Sequence, residues 1–183
     1  MDEQEYLDQY GRRLQDSLVS LCTAYDLMGG MLLENDDIAF KFTETLAQPY
    51  LTDAVREYRQ YPEAAVAWAG YMGMAVARLW DADWQSFQQL TYDDLLGPRG
   101  FDDMDERIVE QVLGITPDSE EARQIADMLS NCAVEALTMI RHEHIEPQSP
   151  RAYYVFARTV QVLYHIGASI ELHLLGYKME RIS

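Results

Sequence analysis

Ala64–Ala77, AAVAWAGYMGMAVA, is a run of 14 residues without one charged side chain, in a chain of 183 residues whose formal net charge is -17. As a helix rising roughly 1.5 Å per residue, the run spans about 21 Å, short of the roughly 30 Å hydrocarbon core of a bilayer. Its length therefore points to the buried central helix of a soluble protein, with no membrane role. Ala64, Ala67, Gly70, Gly73 and Ala77 leave little side-chain bulk, and Trp68, Tyr71 and Met74 are suited to fill gaps. Gly70 and Gly73 each cost a helix interior about 1 kcal/mol relative to Ala, so their presence predicts a second helix packed closely against this one. Pro62 at the first helical position and Glu63 in the first turn mark where the helix begins.

Toward the N-terminus, Leu7, Leu14, Leu21 and Met28 recur every seven residues with Tyr10, Leu18 and Tyr25 between them, which predicts a helix over about 3–28. Gly29 and Gly30 interrupt it. Asn35, Asp36 and Asp37 can cap a second helix near 38–47, and Pro49 can open a third that ends by Tyr61. Toward the C-terminus the periodicity weakens between Trp80 and Phe101, where Gly97, Pro98 and Gly100 signal turns and predict an irregular stretch.

A short helix follows over about 103–113, closed by Gly114. Pro117 and Asp118 then open a helix with Ile125, Leu129, Cys132, Ala136 and Ile140 on its apolar stripe, ending near His144. SPRAYYVF starts a last helix reaching Gly176 or Lys178, in which only Arg151, Arg158 and Glu171 carry formal charge as far as Tyr177. No β-alternation, internal repeat or low-complexity linker interrupts this pattern. The reading is all-α: one domain over 1–183, a bundle of six or seven helices with those near 63–80 and 151–177 enclosed. A chain of this length can bury about 70% of its unfolded surface, enough for one core.

Asp plus Glu total 31 against 14 Lys plus Arg. That balance disfavours direct binding to nucleic acid phosphate or an anionic membrane, which need cationic surface; it suits solubility, or a protein partner with a basic or apolar surface. The opening MDEQEYLDQY has neither a basic region nor an apolar run, so the expected location is cytoplasmic. Cys22 and Cys132 fall among apolar residues and read as two small core residues rather than a disulfide or metal pair.

Motifs for chemistry are sparse. DDMDE at Asp102–Glu106 superficially resembles the aspartate-rich motif by which helical prenyl-diphosphate enzymes hold magnesium; that resemblance implies a second acidic motif, and none is present. An acidic helix cap accounts for the five residues. RHEHIE gathers His142, Glu143, His144 and Glu146, but neither E-x-x-H nor H-E-x-x-H occurs, and a solvated helix end explains them. Glu143 with Glu146 matches the E-x-x-E string of all-α nucleotide pyrophosphatases, at a helix end rather than inside a helix. No G-x-S-x-G, Walker or dinucleotide-binding loop is present. The expectation is no cofactor, an unknown metal status and no catalytic residue.

Two candidate surfaces remain. Helical projection of the last helix brings Tyr153, Tyr164 and Glu171 close in angle, with Arg158 and His165 on the opposite flank. Charges on a central helix must be bonded, paired or facing a cavity, because an isolated buried charge is too costly. These five residues therefore define an expected ligand pocket, and ion pairs among Glu63, Arg78, Arg158 and Glu171 are the structural alternative. The second candidate is Trp80, Trp84, Phe87 and Tyr92 beside the acids between Asp81 and Glu106. Exposed, they form a partner-binding patch; enclosed, a packed seam.

The primary functional expectation is a non-enzymatic cytoplasmic interaction or regulatory protein that contacts a protein partner through Trp80–Glu106. The alternative is a helical-bundle enzyme or sensor binding a small molecule or metal at the central helices. The heptad of Leu7, Leu14 and Leu21 adds the expectation of a homo-oligomer, since it packs as readily against a second copy as within its own chain.

Overall fold

Two helices, α4 (Pro62–Ala82) and α9 (Pro150–Leu174), form the centre of the fold in the computed structural model, which describes residues 1–178. Every residue from Ala69 to Ala77 on α4 and from Ile166 to Leu172 on α9 is buried. Their backbones touch. A β-carbon on Gly73 would lie 1.9 Å from the Tyr164 carbonyl oxygen, and one on Gly167 would lie 1.9 Å from that of Gly70. Gly70 also faces α8 (Glu120–His142), where a β-carbon would meet Leu129 Cδ2 at 2.6 Å. The glycines of the apolar run thus allow the close approach that their helix-propensity cost implies.

The remaining elements wrap this pair: α1 (Glu3–Ala24); a continuous rod of α2 (Asp36–Lys41), a π turn (Phe42–Leu46) and α3 (Ala47–Tyr58); α5 (Trp84–Gln89); α6 (Tyr92–Leu96); and a rod of a 3-10 turn (Phe101–Asp103), α7 (Met104–Arg107) and a second π turn (Ile108–Val112). With α4, α8 and α9 these make eight helical rods, and no strand occurs among the described residues. The expectation of six or seven helices is thus exceeded. One continuous apolar core runs through the bundle, and no helix among the described residues is long and apolar enough to cross a membrane.

Two departures from the sequence expectation have local causes. Residues 36–58 form one rod where Pro49 predicts two helices. Proline inside a helix lacks a donor and crowds the carbonyl four residues back. The π turn just upstream, in which the Ala47 N–H donates to the Phe42 carbonyl, shifts the register and lets the rod continue. The stretch from Trp80 to Phe101 holds α5 and α6 rather than irregular chain. Asp83 caps α5 by accepting from the Ser86 N–H, and Thr91 with Asp94 forms a capping box on α6. Gly97 (φ 72°) and Gly100 (φ 84°) then supply the left-handed turn that follows.

Polar groups inside the bundle are matched. Thr159 donates to the Val155 carbonyl at 2.8 Å, so Tyr10 on α1 donates to Thr159 Oγ1 at 2.5 Å and ties α1 to α9. Cys22 and Cys132 are buried free thiols, as core residues should be. The fold also brings their Sγ atoms to 3.8 Å, a proximity of α1 and α8 that their sequence separation hides.

Candidate functional site

Packing lapses where three helices end. α3 stops at Tyr58, α8 at His142, and α9 starts at Pro150; between them lies a groove of about 800 Å³. Its floor is apolar: Leu137 and Ile140 from the last turns of α8, and Phe156 of α9 with its ring 4.8 Å from that of Tyr58. Val55 and Tyr153 stand at the sides, 43% and 46% exposed. The α8–α9 connection closes one end and carries two non-glycine residues in the left-handed region, His144 (φ 53°) and Gln148 (φ 63°), both lining the groove. Such conformations cost on the order of 1–2 kcal/mol and persist where the surroundings hold them.

The charge of this groove departs from that of the chain. Arg59, Arg141 and His144 line it and, among the described residues, no Asp or Glu does, although acids outnumber bases more than twofold overall. The nearby Glu143 is turned toward α1, where it accepts from Arg13 at 2.5 Å and from Tyr6 at 3.0 Å. Arg59 and Arg141 have no carboxylate partner among the described residues. Both sit at helix C-termini, where a cation balances the exposed carbonyl end. Burial pushes the Tyr58 hydroxyl pKa up, and the charge of Arg141 opposes that rise. Ser149 is occupied: its hydroxyl donates to the Glu146 carbonyl and accepts from the Ala152 N–H.

The five residues expected to share a pocket on α9 do not converge on one, although the rings of Tyr164 and His165 lie 5.4 Å apart. Only Tyr153 lines the groove. Arg158 is drawn to α1, donating to the Leu7 carbonyl at 3.2 Å and to Asp8 at 3.0 Å. Tyr164 is fully enclosed and donates to the Ile38 carbonyl at 2.7 Å. His165 is partly buried, and desolvation lowers its pKa. Glu171, 5% exposed, faces Arg78 at 3.6 Å; desolvation raises its pKa to about 7 against the pull of that arginine. Of the ion pairs offered as the alternative, Arg78–Glu171 is present; Glu63 instead accepts a hydrogen bond from Ser130.

The four aromatics expected as a partner patch differ in exposure and do not form one open surface. Phe87 and Tyr92 are core residues, and the Tyr92 hydroxyl donates to Asp53 at 2.7 Å. Trp80 is partly buried, donates to Asp37 at 3.1 Å and packs on Tyr177. Trp84, 49% exposed, stacks on Phe87 and is the one member largely open to solvent. The spacing of the four is that of a seam sealing α5 and α6 onto the bundle. Among the described residues, no group of three or more His, Cys, Asp or Glu is arranged to hold a metal ion, including the acids between Asp81 and Glu106.

Sequence reading missed the groove because its walls come from three distant segments. A usable signal was present: the apolar stripe of α8 continues to Ile140, beside Arg141 and a loop containing Pro147, and Tyr153 and Phe156 stand at the start of α9. The structure defines an all-α bundle with an apolar, cation-lined groove at one set of helix ends. Comparison with protein-family models, with curated proteins and with solved structures returns no match.

Proposed function

We propose that this chain is a non-enzymatic binding protein, a sensor or carrier that takes a small organic molecule into the groove between α3, α8 and α9. The observation that carries the reading is an apolar cavity lined by a histidine and two arginines without carboxylate partners, and by no Asp or Glu among the described residues, in a chain of net charge -17. Its volume, about 800 Å³, falls within the ~300–1,000 Å³ of small-molecule sites. Fifteen residues line it, fewer than the roughly 20–30 a side of a stable protein interface. Catalysis has less support, since the Ser149 hydroxyl is committed to the Glu146 carbonyl and to capping α9. The reading through Trp80–Glu106 as a partner surface has less support too, because two of its four aromatics lie in the core.

The test is a thermal-shift screen of small organic molecules against the full chain and against Ala152→Phe, which fills the groove from the α9 side. The expected outcome is a concentration-dependent rise in Tm for one chemical class that Ala152→Phe removes. Equal stabilisation of both proteins would place binding elsewhere and sink the reading.

A further inference from the structure

Resting on that reading, we infer that the groove takes an amphipathic carboxylate, with an aliphatic or aromatic body on the Leu137, Ile140 and Phe156 floor and its anionic head at Arg59, Arg141 and His144. Two separate facts argue for this ligand class. The floor offers contact area but few hydrogen-bonding groups, so affinity for the body comes from apolar burial, about 0.8 kcal/mol per CH₂. The head is selected by charge: Arg59 at the end of α3 and Arg141 of α8 line one cavity that no Asp or Glu lines among the described residues. Unpaired guanidinium groups beside an apolar surface favour a planar oxyanion that both can engage.

The surrounding field makes this local arrangement necessary. A chain of net charge -17 repels small anions at long range, so an anion stays only where cations face it directly. The α9 N-terminus does not supply the site by itself. Pro150 has no N–H, the Ala152 N–H is taken by Ser149 Oγ, and the Tyr153 N–H by the Ser149 carbonyl. Glu143, the acid nearest in sequence to His144 and Arg141, is held away by Arg13 and Tyr6. A small carboxylate also fits the size of the cavity better than a peptide does, for the reason that separates it from a protein interface.

The experiment is calorimetric titration of the full chain with octanoate, 1-octanol and octylammonium, which share a body and differ in head group. Wild type should bind octanoate at least tenfold more tightly than octanol. Arg59→Gln with Arg141→Gln should bring octanoate down to the octanol affinity while leaving octanol binding unchanged and lowering the melting temperature only slightly, since both arginines are exposed and lose no more than their part in balancing helix C-termini. Octanol binding as tightly as octanoate, and losing affinity in Ala152→Phe, would overturn the carboxylate inference and leave the groove reading standing. Tightest binding of octylammonium, or no octanoate binding at millimolar concentration, would also overturn the inference. Octanoate binding unchanged by Ala152→Phe would defeat the groove reading as well.

Discussion

From Ile166 to Leu172, α9 is buried on every side and meets α4 backbone to backbone; over Pro150–Phe156 the same helix borders an open groove. In the enclosed part not even a β-carbon fits at Gly167, which lies against the Gly70 carbonyl. The open part carries the bulkier Tyr153 and Phe156, yet these do not fill the wedge left where α3 and α8 end. One helix thus divides its work by position: the C-terminal stretch specifies the fold, and the N-terminal turns leave room for a guest. Substitutions should therefore have opposite signatures at its two ends.

The largest effect belongs to Gly73→Ala or Gly167→Ala. Each added methyl would stand 1.9 Å from a backbone carbonyl oxygen, and neither backbone can rotate out of the way as a side chain could. A loss of about 3 kcal/mol or more, or failure to fold, is expected from urea titration followed by circular dichroism. A variant as stable as wild type would mean that α4 and α9 do not touch at these glycines.

Of intermediate size is the pH dependence set by Glu171 within the enclosed part. Its folded pKa is raised to about 7 from an ordinary 4.5 by desolvation, with Arg78 opposing. Below about pH 4.5 the carboxyl is protonated in both states and its contribution to stability is fully present. As pH rises toward 7 the unfolded chain releases the proton first, so that contribution is lost across the window from about 4.5 to 7. Glu171→Gln should match wild type at pH 4 and melt higher at pH 8. A lower melting temperature of Glu171→Gln at pH 8 would show instead that the pair with Arg78 outweighs desolvation.

The smallest expected effect is at the groove, where Tyr153→Ala should shift stability by no more than about 0.5 kcal/mol in the same titration, because the ring is half exposed and bonded to nothing across the bundle. A loss above about 2 kcal/mol would make the groove wall part of the core and erase the contrast between the two ends of α9.

The enclosed part was legible in the sequence and the open part was not, for a physical reason. Burial leaves a one-dimensional trace: a charge-free run with two glycines can only be an enclosed helix, and the few charges of α9 showed it to be another. A groove is a deficit between elements, and it depends on where helix ends splay. Projection along α9 brought Tyr153, Tyr164 and Glu171 close in angle, with Arg158 and His165 on the opposite flank, but it could not know that α1 claims Arg158, that the Ile38 carbonyl claims Tyr164, or that Arg78 claims Glu171. Gly167 shows the same limit: unremarkable in sequence, it is the α9 residue on which Gly70 rests.

That glycine contact also sets an order of events during synthesis. The face of α4 that meets α9 cannot be covered until Gly167 has been added, about 90 residues after Gly73; at roughly 5–20 residues per second this is a wait on the order of 5–20 s. Through that interval α3 already has its place on α4, where the Tyr50 hydroxyl donates to the Ala65 carbonyl at 2.6 Å, but the glycine-bearing face that meets α9 has no partner.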